Sequence, residues 1–205
     1  MPFRQLLLFF GLGLLLSLAS IFWLDQKLAP LTLVSGEPAR AIWAGITQFG
    51  NSTWMALLVL GIWAAAFALG KARPHNLAWL SMRKKAALVF AAVAAPGIAV
   101  MAIKFLVGRA RPYMEEAGFF PFTYGVDYAS WPSGHTTTAF AFAAAAGMAM
   151  PALRWPLFIL AAATGYSRMA LGVHYLGDVI AGATLGTVGA LLVYHLLLPK
   201  PRNKT

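Results

Sequence analysis

Six apolar stretches, at residues 5–24, 53–70, 86–106, 135–150, 156–173 and 178–198, take up more than half of this 205-residue chain. A run of about 20 apolar residues is long enough to cross the hydrocarbon of a bilayer as a helix. Inside the hydrocarbon each backbone N–H and C=O has to be satisfied within its own segment, which leaves helices as the only choice for runs of this length and pattern. The chain is therefore expected to be an all-α polytopic membrane protein with six transmembrane helices. Its residues are 60% hydrophobic and 11% charged, against roughly 45–50% apolar content in soluble domains. Short connections leave no room for a separate soluble module, so residues 1–205 read as one membrane-embedded domain. The fourth and fifth stretches are short, and Pro151 to Pro156 between them reads as a tight turn. From Ser35 to Trp54, the apolar residues Ile42, Trp43, Ile46 and Phe49 recur at helical spacing among Glu37, Arg40, Gln48 and Asn51. That pattern predicts a short amphipathic helix in the interface. The first stretch follows Arg4 as a secretory signal would, but it exceeds the ~7–15 residues of a signal core and lacks a small-x-small site before Asp25. It reads as a retained first span.

The charges orient these spans. Arg4, Lys71, Arg73, Arg83, Lys84, Lys85, Arg154, Lys200, Arg202 and Lys204 fall on one side with no acids. Lys27, Arg40, Lys104, Arg109, Arg111 and Arg168 fall on the other, with Asp25, Glu37, Glu115, Glu116, Asp127 and Asp178. Cytoplasmic loops keep the excess of Lys and Arg, so both termini are expected in the cytoplasm. A net charge of +10 would invite a nucleic-acid reading, but the cations flank apolar segments and form no stripe interleaved with exposed aromatics. No nucleic-acid partner is expected. The absence of cysteine excludes a disulfide framework, a thiolate metal site and a thiol nucleophile.

Three polar clusters interrupt the apolar background, and the span count puts them all on the outer side. In the last, His174 and Asp178 are four residues apart at the start of the final span. On a helix such a pair shares a face, and the carboxylate can accept one imidazole proton and leave the other nitrogen as nucleophile or base; Gly172 and Gly177 equally allow a turn into a helix, where the pair would meet through a different geometry. Arg168 lies six residues before His174. Lys104 falls on the outer half of the third span and Arg111 follows seven residues later, two helical turns on and on roughly the same face. Snorkelling would account for either cation alone. One carboxylate cannot satisfy Lys104, Arg111 and Arg168 together, and an unpaired surplus of cations points to a bound anion, for which Arg forks suit phosphate. Arg109 is out of phase with the other two and reads as a loop or headgroup contact. Between these clusters, Pro132-Ser133-Gly134-His135 opens the fourth span, where a hydroxyl and free N–H groups at a helix start can face an anion. Gly134 permits close backbone approach, and His135 is placed to act as a general acid. His75 and His195 read as headgroup or water contacts, and no His-x-x-x-His or His-Glu pair builds a metal box, so no metal is expected.

The clusters read Lys104-x6-Arg111-Pro112, Pro132-Ser133-Gly134-His135 and Ser167-Arg168-x5-His174-x3-Asp178. In this form the chain closely resembles the type 2 phosphatidic acid phosphatase superfamily, which includes integral-membrane lipid phosphate phosphatases and soluble vanadium haloperoxidases. The signature occupies residues 104–178 and every position of it is filled. The resemblance implies that His174 attacks phosphorus to give a phosphohistidine while Asp178 orients it. It further implies that His135 protonates the leaving group and then activates water, that Lys104, Arg111, Ser133, Gly134 and Arg168 hold the phosphate, and that Ser167, Pro112 and Pro132 shape the loops. No cofactor is implied. The substrates implied are lipid phosphate monoesters or pyrophosphates, met at the outer face of a bacterial inner membrane. Phosphatidate or phosphatidylglycerol phosphate comes first, with undecaprenyl pyrophosphate or lipid A phosphate as alternatives. The loop 113–131 is the expected selectivity element, and its Glu115 and Glu116 either repel misplaced anions or are solvated loop charges. The competing class is a lipid or small-molecule transporter, against which stands the confinement of the charges to the rims. The sequence does not fix an oligomeric state.

Overall fold

A computed structural model describes residues 2–198, which form eight α-helices. They are α1 (Phe3–Trp23), α2 (Asp25–Thr32), α3 (Glu37–Thr47), α4 (Ser52–Ala72), α5 (Leu77–Val107), α6 (Gly134–Ala149), α7 (Arg154–Ala170) and α8 (Leu176–Leu197), with 3-10 turns at Gln48–Gly50 and Pro151–Leu153. Lys200, Arg202 and Lys204 of the expected cationic tail lie outside the described residues.

The all-α class matches the reading of the sequence, with three differences in detail. The short helix α2 was not anticipated. The loop expected over 71–85 shrinks to a turn, because Asn76 caps α5 by accepting the Ala78 N–H at 3.0 Å and the helix runs on through Arg83, Lys84 and Lys85. Lys and Arg are good helix formers whose stems lie along apolar surface, so a basic run does not end a helix. The amphipathic segment stops at Thr47, and Asn51 caps α4 by accepting the Thr53 N–H at 2.9 Å, so Trp54 belongs to α4. By length and apolarity four helices qualify as membrane spans: α1, α4, α5 and α8. With 16 and 17 residues, α6 and α7 are about 24 and 26 Å long at 1.5 Å per residue, short of the ~30 Å hydrocarbon.

Between lipid-immersed helices the hydrophobic effect gives no drive, so close approach of small residues has to supply the packing. Helix α6 is alanine-rich and lies at the centre, with Ala139, Ala141, Ala143, Ala145, Thr136 and Thr137 buried. A Cβ on Gly182 of α8 would lie 2.6 Å from the Ser133 carbonyl oxygen, and one on Gly186 would strike Thr137 O. The two glycines, one turn apart, therefore let α8 lie directly on α6. Outward faces carry exposed Leu8, Leu15, Leu57, Ile98 and Met101, as an integral membrane protein requires and a water-soluble one would not tolerate.

Helix direction alternates. At one pole Phe3 stacks on His195, with ring centroids 6.0 Å apart. At the other, Asp25 accepts the Gly177 N–H at 2.9 Å, and Gly50, just before α4, accepts the Thr138 hydroxyl of α6. The six long helices thus bring one end each to this second pole, where α1, α5 and α7 finish and α4, α6 and α8 begin.

Candidate active site

All three polar clusters meet at that pole. His174 lies in the turn between α7 and α8, where Gly172 adopts a left-handed φ of +69°. The backbone N–H groups of Val173 and His174 both donate to the Arg168 carbonyl, at 3.1 and 3.2 Å. The helix begins only at Leu176, so His174 precedes it and Asp178 sits in its first turn. Asp178 Oδ2 accepts the Tyr175 N–H at 2.9 Å and lies 3.3 Å from His174 Nδ1. With the proton on Nδ1 facing this carboxylate, Nε2 keeps its lone pair. His174 is 3% exposed, and burial holds its imidazole well below the ordinary histidine value, down to about 3, against the opposing pull of Asp178.

The second cluster is fixed to the third by backbone: the Ser133 N–H donates to the Asp178 carbonyl at 3.0 Å. Ser133 is the N-cap residue of α6, yet its side chain makes no capping bond; its Oγ accepts from Thr136 Oγ1 at 2.9 Å. The first-turn N–H groups of Gly134 and half-buried His135 are thereby left to an outside acceptor. Pro132 is buried beside Ser133. Ser167 Oγ donates to the Thr164 carbonyl at 2.6 Å inside α7, a role in the frame and not at the surface of the cup.

Three cations surround the imidazoles. Lys104 Nζ donates to the Ala129 carbonyl and its stem lies over Gly134, while Arg168 NH1 donates to Thr47 Oγ1 at 3.0 Å. The charges of Lys104, Arg111 and Arg168 all act on His135, and those of Lys104 and Arg111 also act on His174. Among the described residues none of the three cations pairs with a carboxylate, and the buried Nε atoms of Arg111 and Arg168 have no hydrogen-bond partner. A positive cup with unspent N–H donors is a site for an anion. No group of three His, Asp or Glu side chains gathers as a metal-ligand set among the described residues.

Two expectations about this region change. Helix α5 stops at Val107 and Gly108 turns left-handed at φ +59°, so Lys104 and Arg111 are not related by helical phase. Arg111 is instead set by its backbone N–H, which donates to the Asp127 carbonyl at 2.9 Å, in a segment that Pro112 follows. Arg109, read as a loop or headgroup contact, is 4% exposed and bridges two carboxylates: NH1 lies 2.5 Å from Asp178 Oδ1 and NH2 2.8 Å from Asp25 Oδ2. Ser130 Oγ also donates to Asp178 Oδ2, at 2.5 Å. Arg109, Asp25 and Ser130 were thus missed. The signal that could have found Arg109 and Asp25 is the cost of leaving an Arg and an Asp unpaired near apolar segments.

Beside the cup an apolar cleft of about 550 Å³ runs between α4, α5 and α6, from Lys104, Gly134 and His135 past Gly97 to Val59 and Val89. In the 113–131 loop, Asp127 accepts the Tyr113 hydroxyl at 2.8 Å, while Glu115 and Glu116 are exposed.

The sequence pattern of the PAP2 superfamily matches residues 85–202. The lipid A 1-phosphatase of Rhizobium etli is 32% identical over 159 residues, which cover 72% of this chain and 66% of that protein; the chain thus spans just under two thirds of its length. The undecaprenyl-diphosphatase of Bacillus subtilis is 29% identical over 154 residues, covering 73% and 70% of the two chains. The crystal structure of a transmembrane PAP2-type phosphatidylglycerolphosphate phosphatase from Bacillus subtilis superposes with a TM-score of 0.67 at 22% identity, covering 94% of each chain. This last likeness is one of fold.

Proposed function

Because the chain belongs to the PAP2 superfamily, we propose that it is a metal-independent lipid phosphate phosphatase working through a phosphohistidine. The observation that carries this reading is the cup of three cations without carboxylate partners, set between a neutral imidazole and the mouth of an apolar cleft. Lys104, Arg111, Arg168, the Ser133 hydroxyl and the Gly134 N–H hold the phosphate oxygens. His174 Nε2 attacks phosphorus as the bond to the lipid oxygen breaks, and His135, as imidazolium, gives that oxygen its proton. Water then gives a proton to His135 and its oxygen attacks phosphorus, breaking the P–N bond and releasing inorganic phosphate. Asp178 offsets the charge that grows on the His174 imidazole. Positioning and electrostatic stabilisation are what phosphoryl transfer chiefly demands, and cations supply both.

The cleft takes the lipid portion, since it opens beside His135, the group that protonates the leaving oxygen. We place six crossings in the membrane, α6 and α7 included, with α3 in the interface, both termini in the cytoplasm and the cup at the outer face of a bacterial inner membrane. The one-sided distribution of cations and the shared pole of Phe3 and His195 support that orientation. Phosphatidate and phosphatidylglycerol phosphate are the first substrates to try. The names of the relatives similar in sequence support adding lipid A 1-phosphate and undecaprenyl pyrophosphate.

Purified protein in mixed micelles with EDTA is expected to release phosphate from one or more of these four lipids and to be inhibited by vanadate. His174→Ala is expected to lower turnover by about 10³-fold or more, and undiminished turnover in that variant would remove the proposed nucleophile. A transporter would move labelled lipid across vesicles without releasing phosphate.

A further inference from the structure

We propose that Asp25, at the junction of α1 and α2, is a positioning residue for the His174–Asp178 pair and acts through Arg109; the proposal rests on the phosphohistidine reading above. Neither Asp25 nor the helices that flank it fall within the residues matching the family pattern.

Arg109 NH1 lies 2.5 Å from Asp178 Oδ1, and the two side chains are 5% and 0% exposed. Taken by itself, that contact would cancel most of the Asp178 charge, and a neutralised Asp178 could neither hold the Nδ1 proton firmly nor offset the positive charge that develops on the imidazole during attack. Asp25 on the other arm of the same guanidinium, 2.8 Å from NH2 and itself fully buried, shares that cation. Asp25, Arg109 and Asp178 then carry one net negative charge between them, and the carboxylate facing His174 recovers its field. Away from water each unit of charge weighs far more than at a surface. Removing one partner from a buried charge network is correspondingly expensive.

The triple is built to hold its geometry. Asp25 Oδ1 accepts Ser20 Oγ at 2.6 Å and the Gly177 N–H at 2.9 Å, while Oδ2 takes Arg109. Gly177 is required there, because a Cβ would lie 2.8 Å from Asp25 Oδ2 and 3.0 Å from the Ser17 carbonyl oxygen. The guanidinium lies over the Tyr175 ring, 4.3 Å from its centroid. The Arg109 backbone carbonyl accepts the N–H of Ser130, whose hydroxyl also donates to Asp178. Asp25 therefore reaches the nucleophile's partner on two short paths, NH2 to NH1 of the Arg109 guanidinium and the N–H of Gly177 beside Asp178 in the chain, of which only the first carries charge to the Asp178 carboxylate.

A double-mutant cycle separates this role from a plain structural staple. Asp25→Asn, Asp178→Asn and the double variant are purified with the wild type and assayed for phosphate release from radiolabelled dioctanoyl phosphatidate in mixed micelles. Asp25→Asn is expected to lower kcat about 10- to 100-fold with KM unchanged. In the Asp178→Asn background it is expected to cost nothing further, within about twofold, because the carboxylate charge that it sustains through Arg109 is gone. Full kcat in Asp25→Asn, or the same loss in both backgrounds, would overturn the proposal. Should Asp25→Asn fail to fold, Ser20→Ala replaces it, with about a three- to tenfold loss of kcat expected that again vanishes beside Asp178→Asn; an unchanged kcat there overturns it equally. A wild type that releases no phosphate from phosphatidate or from the other three lipids overturns the phosphatase reading and the relay with it. An active wild type with a fully active Asp25→Asn overturns the relay alone.

Discussion

His174 is held neutral by burial, and that has a measurable consequence for acid stability. Its imidazole is pushed down to about 3, from an ordinary value near 6.5. Between those two values the unfolded chain binds a proton at this position and the folded chain does not, so stability rises with pH across that window and is lost as pH falls through it. The slope contributed by one such group is roughly tenfold in the folding equilibrium per pH unit. In detergent, the melting temperature of the wild type is expected to fall between pH 6.5 and 4 more steeply than that of His174→Ala, which has no imidazole to take up a proton on unfolding; parallel curves would mean that the imidazole titrates normally. The same residue was easy to find in the sequence, because a His and an Asp four apart after a Ser-Arg pair keep their meaning whatever the local backbone does. Arg109 was not, for the opposite reason. Its dismissal rested on counting helical phase from Lys104, and the helix ends at Val107, after which phase carries no information. Asp25 marked the end of a span in the sequence, and its partner lies 84 residues away, a separation that no local pattern encodes.

Helix α6 opens on the second polar cluster and α8 carries Asp178 of the third, and their crossing decides whether those clusters meet. At Gly182 an added Cβ would lie 2.6 Å from the Ser133 carbonyl oxygen, a backbone atom that can yield only if α6 moves as a body. Gly182→Leu is therefore expected to force the helices apart, break the bond from the Ser133 N–H to the Asp178 carbonyl and separate His135 from His174. A destabilisation of about 1–3 kcal/mol and a loss of most activity should follow. Gly61→Leu on α4, where a side chain would meet nothing within 4 Å, is expected to retain both. Similar melting temperatures and rates for the two variants would contradict the packing argument. Hydropathy located all six long helices to within a few residues at most ends, because apolar length is a property of the chain itself. It failed at the start of α5, since a run of Arg and Lys reads as loop by charge and as helix by propensity, and propensity prevailed. It failed also at α2, too short and too polar to register as apolar or clearly amphipathic.

At the scale of the molecule no long helix separates the first cluster from the second and two separate the second from the third, which puts all three at one pole, and this could be counted from the sequence. Where a lipid would enter could not, because an opening depends on which neighbouring helices fail to close on each other. The structure leaves that gap between α4, α5 and α6, as a cleft of about 550 Å³ that reaches Lys104 and His135 at its mouth. In the proposed reading, a substrate whose tail stays in the bilayer slides its phosphate into the cup along this cleft while the tail remains among apolar side chains. Gly97 lines it from α5 and has room for a larger group, its nearest neighbour to an added Cβ being Thr138 Cγ2 at 4.0 Å. An indole placed there by Gly97→Trp would fill the passage and leave the cup itself, some two helical turns away at Lys104, untouched. For a long-tailed lipid phosphate KM is expected to rise about tenfold or more, since burial of the tail in the cleft would be lost at roughly 0.8 kcal/mol per CH₂ displaced. For a short aryl phosphate, which needs the cup and not the cleft, both kcat and KM should stay within about twofold. Equal losses on the two substrates would mean that the substitution had disturbed the site itself, and unchanged kinetics on both would mean that the tail binds elsewhere.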